Sequence, residues 1–233
     1  LLRKTNKKSG KLWMVYGSYS GGIFILAMDP ETAKPKPNQG YGKKLVGGNH
    51  SRIEGPYMLY SPHTDYYYLF LSFGGLDAIG GYNIRVARSK SPDGPFVDAE
   101  GTDMLDVKAD PAKPLFDDRS IEPYGVKLMG NHSWRHPLGS EHKSGYVSPG
   151  HNSAYYDQET GNYYLLFHAR FPRRGEHHEI RVHQFFLNEE GWPVVAPLRY
   201  AGEPEAGNGK RQVAGECELV DHGKDISADS NES

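Results

Sequence analysis

Glu54 lies in Arg52-Ile53-Glu54-Gly55-Pro56-Tyr57. An acid that opens a strand and is followed by Gly-Pro stands at a strand mouth rather than in mid-sheet. A partly buried carboxyl at such a mouth, beside tyrosines, suits a general acid. Read from spacing alone, a solvated turn glutamate is the commoner outcome. His151, in Tyr146-Val147-Ser148-Pro149-Gly150-His151-Asn152-Ser153, opens a second strand in the same way. By itself it is more often a hydrogen-bonded turn histidine. Ser18-Tyr19-Ser20-Gly21-Gly22 follows an aromatic strand. Hydroxyls and a ring beside permissive glycine backbone suit sugar recognition; the plain alternative is a Gly-rich hairpin.

Other residues of reactive type are weaker. His132 and His136 have a spacing that suits a metal on a helix, and Pro137 with the surrounding Gly and Ser argues against that helix. His177-His178-Glu179 precedes IRVHQFF, which reads as a strand. Ser148 sits in GYVSPG, which lacks a nucleophile-elbow pattern.

The elements that must position these residues come from a repeat. Tyr67–Ser72 (YYLFLS) matches Tyr163–His168 (YYLLFH), and Ile84-Arg85-Val86 matches Ile180-Arg181-Val182. Both pairs keep one spacing, about 96 residues. Glu54 and His151 fall within one residue of the same spacing, so they occupy matching mouths of successive copies. An earlier partial copy runs through Lys11–Ser18, Gly22–Asp29 and the turn PETAKPKP.

Three copies of a small antiparallel sheet predict an all-β fold built of β-propeller blades; a β-sandwich is the alternative. Alternation is weak in Trp13-Met14-Val15-Tyr16, which predicts burial on both faces. A propeller closes with about four to eight blades, so further blades are expected before Leu1. Residues 1–10 read as a polar turn. The Gly-, Pro-, Asp- and His-rich stretch Asp98–Ser148 reads as a loop-rich insertion, with Ser120–Met129 as a strand pair.

Composition agrees. The 233 residues include 28 Gly, 16 Pro, 16 Tyr and 9 Phe, which is strand-and-turn chemistry rather than that of a helical bundle. A net charge of −2 leaves no basic footprint for nucleic acid. No run approaches the roughly 18 apolar residues of a membrane span. The single cysteine, Cys217, excludes an internal disulfide framework and any multi-cysteine metal site. The first residue is Leu1 and the chain stops at HGKDISADSNES, so it reads as a piece of a longer polypeptide.

The segments GKLWMVYGSYSGGIFIL, HSRIEGPYMLY, GGYNIRVARSKSPDGPF, GYVSPGHNSAYYD and HQFFLNEEGWPVVAPLRYAGE closely resemble glycoside hydrolase family 43, specifically its bacterial endo-α-1,5-L-arabinanases. The resemblance runs from Lys11 to about Glu203. It implies a five-bladed propeller that hydrolyses internal α-1,5 bonds of arabinan with inversion, using an Asp base, a Glu acid and a second, tuning Asp. Glu54 matches the general acid. His151 matches a histidine associated with a hydrated Ca²⁺ ion. Ser18, Tyr19 and Ser20 match a substrate-contacting stretch.

The resemblance further implies a secreted, monomeric parent protein whose partner is arabinan or its oligosaccharides. Both aspartates are expected upstream of Leu1, which makes the piece inactive by itself; Asp29-Pro30 follows the wrong strand and is not assigned. Residues 1–203 are expected to form the later blades. Residues 204–233 are expected to form a linker and the start of a C-terminal β-domain. An exo-acting relative (an arabinofuranosidase or β-xylosidase) and a catalytically dead carbohydrate-binding propeller remain alternatives.

Overall fold

The structure is a computed structural model that describes residues 2–4, 11–77, 79–135, 145–202 and 218–221. It is all-β, apart from two single 3₁₀ turns at Met104–Asp106 and Asp118–Ser120. Three antiparallel blades follow one another along the chain. The first is β1 (Leu2–Lys4), β2 (Leu12–Ser18), β3 (Gly22–Met28) and β4 (Lys43–Val46), paired in that order. The second is β5 (Ile53–Ser61), β6 (Tyr66–Phe73), β7 (Asn83–Ser89) and β8 (Val126–Met129). In the third, β10 (Gly145–Tyr156), β11 (Tyr163–Arg170), β12 (Glu179–Leu187) and β13 (Pro193–Val195) pair in sequence. The start of β10 also pairs with β9 (His132–Arg135), which carries β14 (Glu218–Asp221) on its other edge. The propeller expectation is met by these blades.

The middle blade shows why its sequence is almost continuously apolar. Successive side chains of a strand point to opposite faces. Leu69, Leu71 and Phe73 of β6 pack with Val15, Ile23 and Ile25 of the first blade. Tyr68 and Phe70, in between, pack with Leu165, Phe167 and Phe185 of the third. A strand sandwiched between two sheets has no solvent face, so nothing along it needs to alternate. Polar contacts join the same blades. The Tyr68 hydroxyl donates to the Gly191 carbonyl, and the Ser61 and Tyr163 hydroxyls lie 2.5 Å apart.

Three expectations change. Leu2–Lys4 is not a turn: it pairs with Leu12–Met14 as the first strand of its blade. Only Val126–Met129 of the segment 120–129 is a strand, and it completes the second blade against β7. The preceding long connection is anchored instead by Met104, Val107 and Ile121, all fully buried between the first two blades. In β2, Val15 is buried but Trp13, Met14 and Tyr16 are only partly so. Among the described residues β2 has a neighbouring blade on one face, and its other face meets the small cluster Leu12, Leu26 and Met28. The proposed linker and second domain at 204–233 lie outside the described residues, except for β14.

The third blade carries a pH-sensitive group in its core. His183 is fully buried. Its Nδ1 lies 2.8 Å from the Ala196 carbonyl, and a carbonyl can only accept, so Nδ1 carries the hydrogen. Nε2 then accepts from the Tyr146 hydroxyl at 2.8 Å. Burial pushes the His183 pKa below its ordinary 6.5, against the opposing effect of the Ala196 hydrogen bond. As pH falls, the unfolded chain therefore takes up this proton first. The stability His183 contributes is complete above about pH 6.5 and is lost as pH falls further. The thermal midpoint should drop between about pH 7 and pH 5, and drop less in His183→Gln. Equal pH slopes in the two proteins would contradict this assignment.

Candidate functional site

Glu54 and His151 meet in space, but only Glu54 stands at a strand mouth: β10 already begins at Gly145, so His151 lies at a bulge in mid-strand rather than opening it. Glu54 pairs with Ser72 across β5 and β6, and Gly150 pairs with His168 across β10 and β11. A bulge follows each position. The residue after each sits in the left-handed region, Gly55 at φ 57° and His151 at φ 48°. His151 is thus the equivalent of Gly55, and Gly150 the equivalent of Glu54, one residue from the match the spacing implies. The bulges re-aim the chain at these two positions. A Cβ on Gly55 would lie 3.3 Å from the His151 Cα, and at φ 57° a side chain would be strained as well, so glycine eases this approach.

Glu54 is held at both oxygens. Oε1 accepts from the Tyr82 hydroxyl at 2.5 Å, and Oε2 accepts from the Ser18 hydroxyl at 3.2 Å. The His151 ring is 62% exposed, and its Nδ1 lies 4.0 Å from Glu54 Oε1. The His151 backbone N–H donates to Ser72 Oγ at 2.7 Å. Ser18 ends β2, so this cluster draws on all three blades.

Ser18, Tyr19 and Ser20 also line an open cavity of about 290 Å³, with Tyr16, Phe24 and Tyr41 as its aromatic walls. Tyr19 leans toward the second blade, where its hydroxyl donates to the Gly74 carbonyl at 3.0 Å. Burial, and then the negative charge of Glu54, push its pKa up to about 12. The Tyr19 ring lies 6.3 Å from the exposed Phe116 ring. Arg52 stacks on that ring at 5.5 Å while its Nε donates to Asp118 Oδ1 at 3.0 Å.

The structure therefore brings together Ser18, Tyr19, Glu54 and His151, with Ser20 on the adjoining cavity wall. Sequence reasoning missed Tyr82, Ser72, His168 and the Arg52–Phe116 pair. A faint signal existed for two of them. Ser72 and His168 are the polar ends of otherwise apolar strands, at the same place in the repeat. His168 lies with its ring stacked 6.0 Å from Tyr82 and 6.4 Å from His151. Burial, and then the neighbouring His178 and His151, push its pKa down to about 4.

Among the described residues no group of three His, Cys, Asp or Glu side chains gathers as a metal site. Ca²⁺ takes six to eight oxygens. An exposed imidazole with one carboxylate nearby fits such an ion only if water fills most of its shell. No described helix is long and apolar enough to cross a membrane.

Comparison with known proteins fits this geometry. The pattern of "Glycosyl hydrolases family 43" matches residues 4–118. The chain is 67% identical, over 95% of its length and 47% of the relative's, to the extracellular endo-α-(1→5)-L-arabinanase 2 of Bacillus subtilis (strain 168). It is 58% identical, over 94% of its length and 45% of the relative's, to the corresponding extracellular endo-arabinanase of Thermotoga petrophila. The crystal structure of a family 43 glycoside hydrolase from Bacillus licheniformis superimposes with a TM-score of 0.79 at 66% identity, covering 87% of this chain and 44% of that one. The chain spans about half the length of the curated relatives it matches.

Proposed function

Because the chain belongs to glycosyl hydrolases family 43, we propose that the polypeptide carrying it hydrolyses internal α-1,5 bonds of arabinan with inversion. The observation that carries this reading is the setting of Glu54. Its carboxyl stands where the mouth of β5 meets the bulge of β10, gripped by two hydroxyls, beside a cavity walled by aromatic rings and serines. Such a group is placed to protonate the leaving oxygen of a glycosidic bond. Ser18, Tyr19 and Ser20 offer the hydroxyls and ring that a furanose unit would use.

Inversion also needs a carboxylate base roughly 6.5–9.5 Å from the acid, with a water between base and anomeric carbon. The contacts of the described carboxylates assign none of them that role. His151 would hold Ca²⁺ with water as the main ligand, and the bound ion would supply positive charge beside the carboxyl. The extracellular naming of the relatives supports secretion of the parent protein.

The test is digestion of linear arabinan by the intact polypeptide, with products sized from the first minutes. Arabino-oligosaccharides should appear before monomer. Monomer from the outset means exo action, and binding without release of new reducing ends means a carbohydrate-binding protein. In the same assay His151→Ala should lose bound calcium and turnover together; a calcium-free, fully active variant removes the ion from the reading.

A further inference from the structure

The chemistry of a general acid depends on which of its two oxygens carries the proton. Around Glu54, a chain of donors bears on that question. It starts at the His151 backbone N–H, which can only donate, and which reaches Ser72 Oγ at 2.7 Å. Ser72 is fully buried, so its single hydrogen needs an acceptor within the protein. Beside it stands the Tyr82 hydroxyl, whose ionised form the Ser72 hydroxyl favours, against the larger effects of burial and Glu54. Tyr82 then has its own hydrogen to give, and it points 2.5 Å from Glu54 Oε1.

Tyr82 is well held in this role. It is fully buried and stacks on His168 with the rings 11° from parallel. The Gly150 backbone lies against its ring edge. Burial, then the hydrogen bond to Glu54, raise the phenol's pKa, so Tyr82 keeps its proton and stays a donor.

We infer that Tyr82 is a positioning residue for the acid: it commits Oε1 of Glu54 to accept a hydrogen bond, so the transferable proton resides on Oε2, the oxygen beside Ser18. This rests on the proposed role of Glu54 as the acid. Ser18 donates to Oε2 while Glu54 is a carboxylate; when Oε2 carries the proton, the Ser18 hydroxyl, which can take either role, accepts from it instead. With a glycosidic oxygen in place, the Oε2 proton passes to it as the C–O bond breaks, and the bond's electron pair stays on that oxygen. A water adds hydroxide to the anomeric carbon, and its other proton goes to a carboxylate base of the same protein. Glu54 becomes a carboxylate whose Oε1 already has a donor, so the new charge forms against a preset dipole. Tyr82 gives up no proton at any stage.

The experiment compares two substrates in the intact polypeptide. Linear arabinan has a poor leaving group that must be protonated. A dinitrophenyl arabino-oligosaccharide has a leaving group that departs without a proton. Tyr82→Phe keeps the ring and removes only the donor. Its kcat on arabinan should fall roughly ten- to a hundredfold, the scale of one hydrogen bond to a charged group, with KM little changed. On the dinitrophenyl substrate the loss should be less than about threefold. Equal losses on both substrates, or no loss on arabinan, overturn the inference.

Ser72→Ala, which leaves Tyr82 in place without the hydroxyl beside it, should show the same bias toward the activated substrate at smaller size. It decides the matter if Tyr82→Phe fails to fold; an unbiased Ser72→Ala overturns the inference. Glu54→Gln on the same pair separates the two claims. If Glu54→Gln is equally slow on both substrates, the acid assignment itself fails. If only Glu54→Gln shows the bias, the acid stands and the role of Tyr82 falls.

Discussion

Glu54→Gln in the intact polypeptide should lower turnover of linear arabinan by about 10²–10⁴-fold, the range of a lost general acid, while arabino-oligosaccharides still bind. The amide has nearly the shape of the carboxyl. Its Oε1 can still accept from Tyr82, and its NH₂ group can donate to Ser18 Oγ, where Oε2 now sits at 3.2 Å. The cluster that joins the three blades is therefore kept. What is lost is a proton that can be given away. The substrate contacts proposed for Ser18, Tyr19 and Ser20 would be untouched, so the loss should fall on kcat rather than on KM. Reducing-end release measures the first quantity, and titration calorimetry with arabino-oligosaccharides measures binding. Turnover close to that of the unaltered protein would refute the acid role. Loss of binding in step with turnover would show that Glu54 organises the site rather than acts in it.

Gly150→Ala should damage both stability and turnover. The new Cβ would lie 2.1 Å from Tyr82 Cε1 and 2.3 Å from Cδ1. A contact that short forces something to move. Tyr82 is not a flexible chain end that can swing aside: it is fully buried, stacked on His168 and bonded to Glu54. Either the β10 bulge lifts, taking His151 with it, or the Tyr82 ring leaves the carboxyl. Overpacking of this kind costs about 1–3 kcal/mol. Turnover of arabinan should fall at least as far as in Tyr82→Phe. Denaturant unfolding gives the stability change, and reducing-end release gives the rate. An alanine variant with unchanged midpoint and unchanged rate would mean that the β10 bulge is free to shift, and that its close approach to Tyr82 has no role.

Much of this architecture can be read along the chain, because its causes are local. The aromatic runs at Tyr67–Ser72 and Tyr163–His168, with turns at fixed offsets, define a repeating sheet before any contact is known. Gly-Pro after Glu54 marks a strand mouth by backbone chemistry alone; Pro-Gly before His151 marks a bulge inside β10 instead, because the strand already begins at Gly145. The Ser-Tyr-Ser stretch announces a polar hairpin at the end of an aromatic strand. These features depend on neighbours a few residues away, so spacing reveals them.

The tertiary structure decided the rest. The fourth strand of the second blade comes from Val126–Met129, far beyond β7, because the intervening chain buries Met104, Val107 and Ile121 before it returns. Tyr82 stands in a Gly-rich approach to β7, where nothing in its immediate sequence marks it as a partner of Glu54. Only the pairing of Glu54 with Ser72, and of Ser72 with Ile84, carries the start of β7 to the mouth of β5. The His151 donor comes from a different blade, through bulges that shift its register by the one residue that spacing could not resolve. Sequence periodicity determined which strands exist and which way their side chains alternate. The bulges and the packing of one blade on the next determined which side chains meet, because those contacts join residues far apart in the chain and depend on register, which a slip of one residue would reverse.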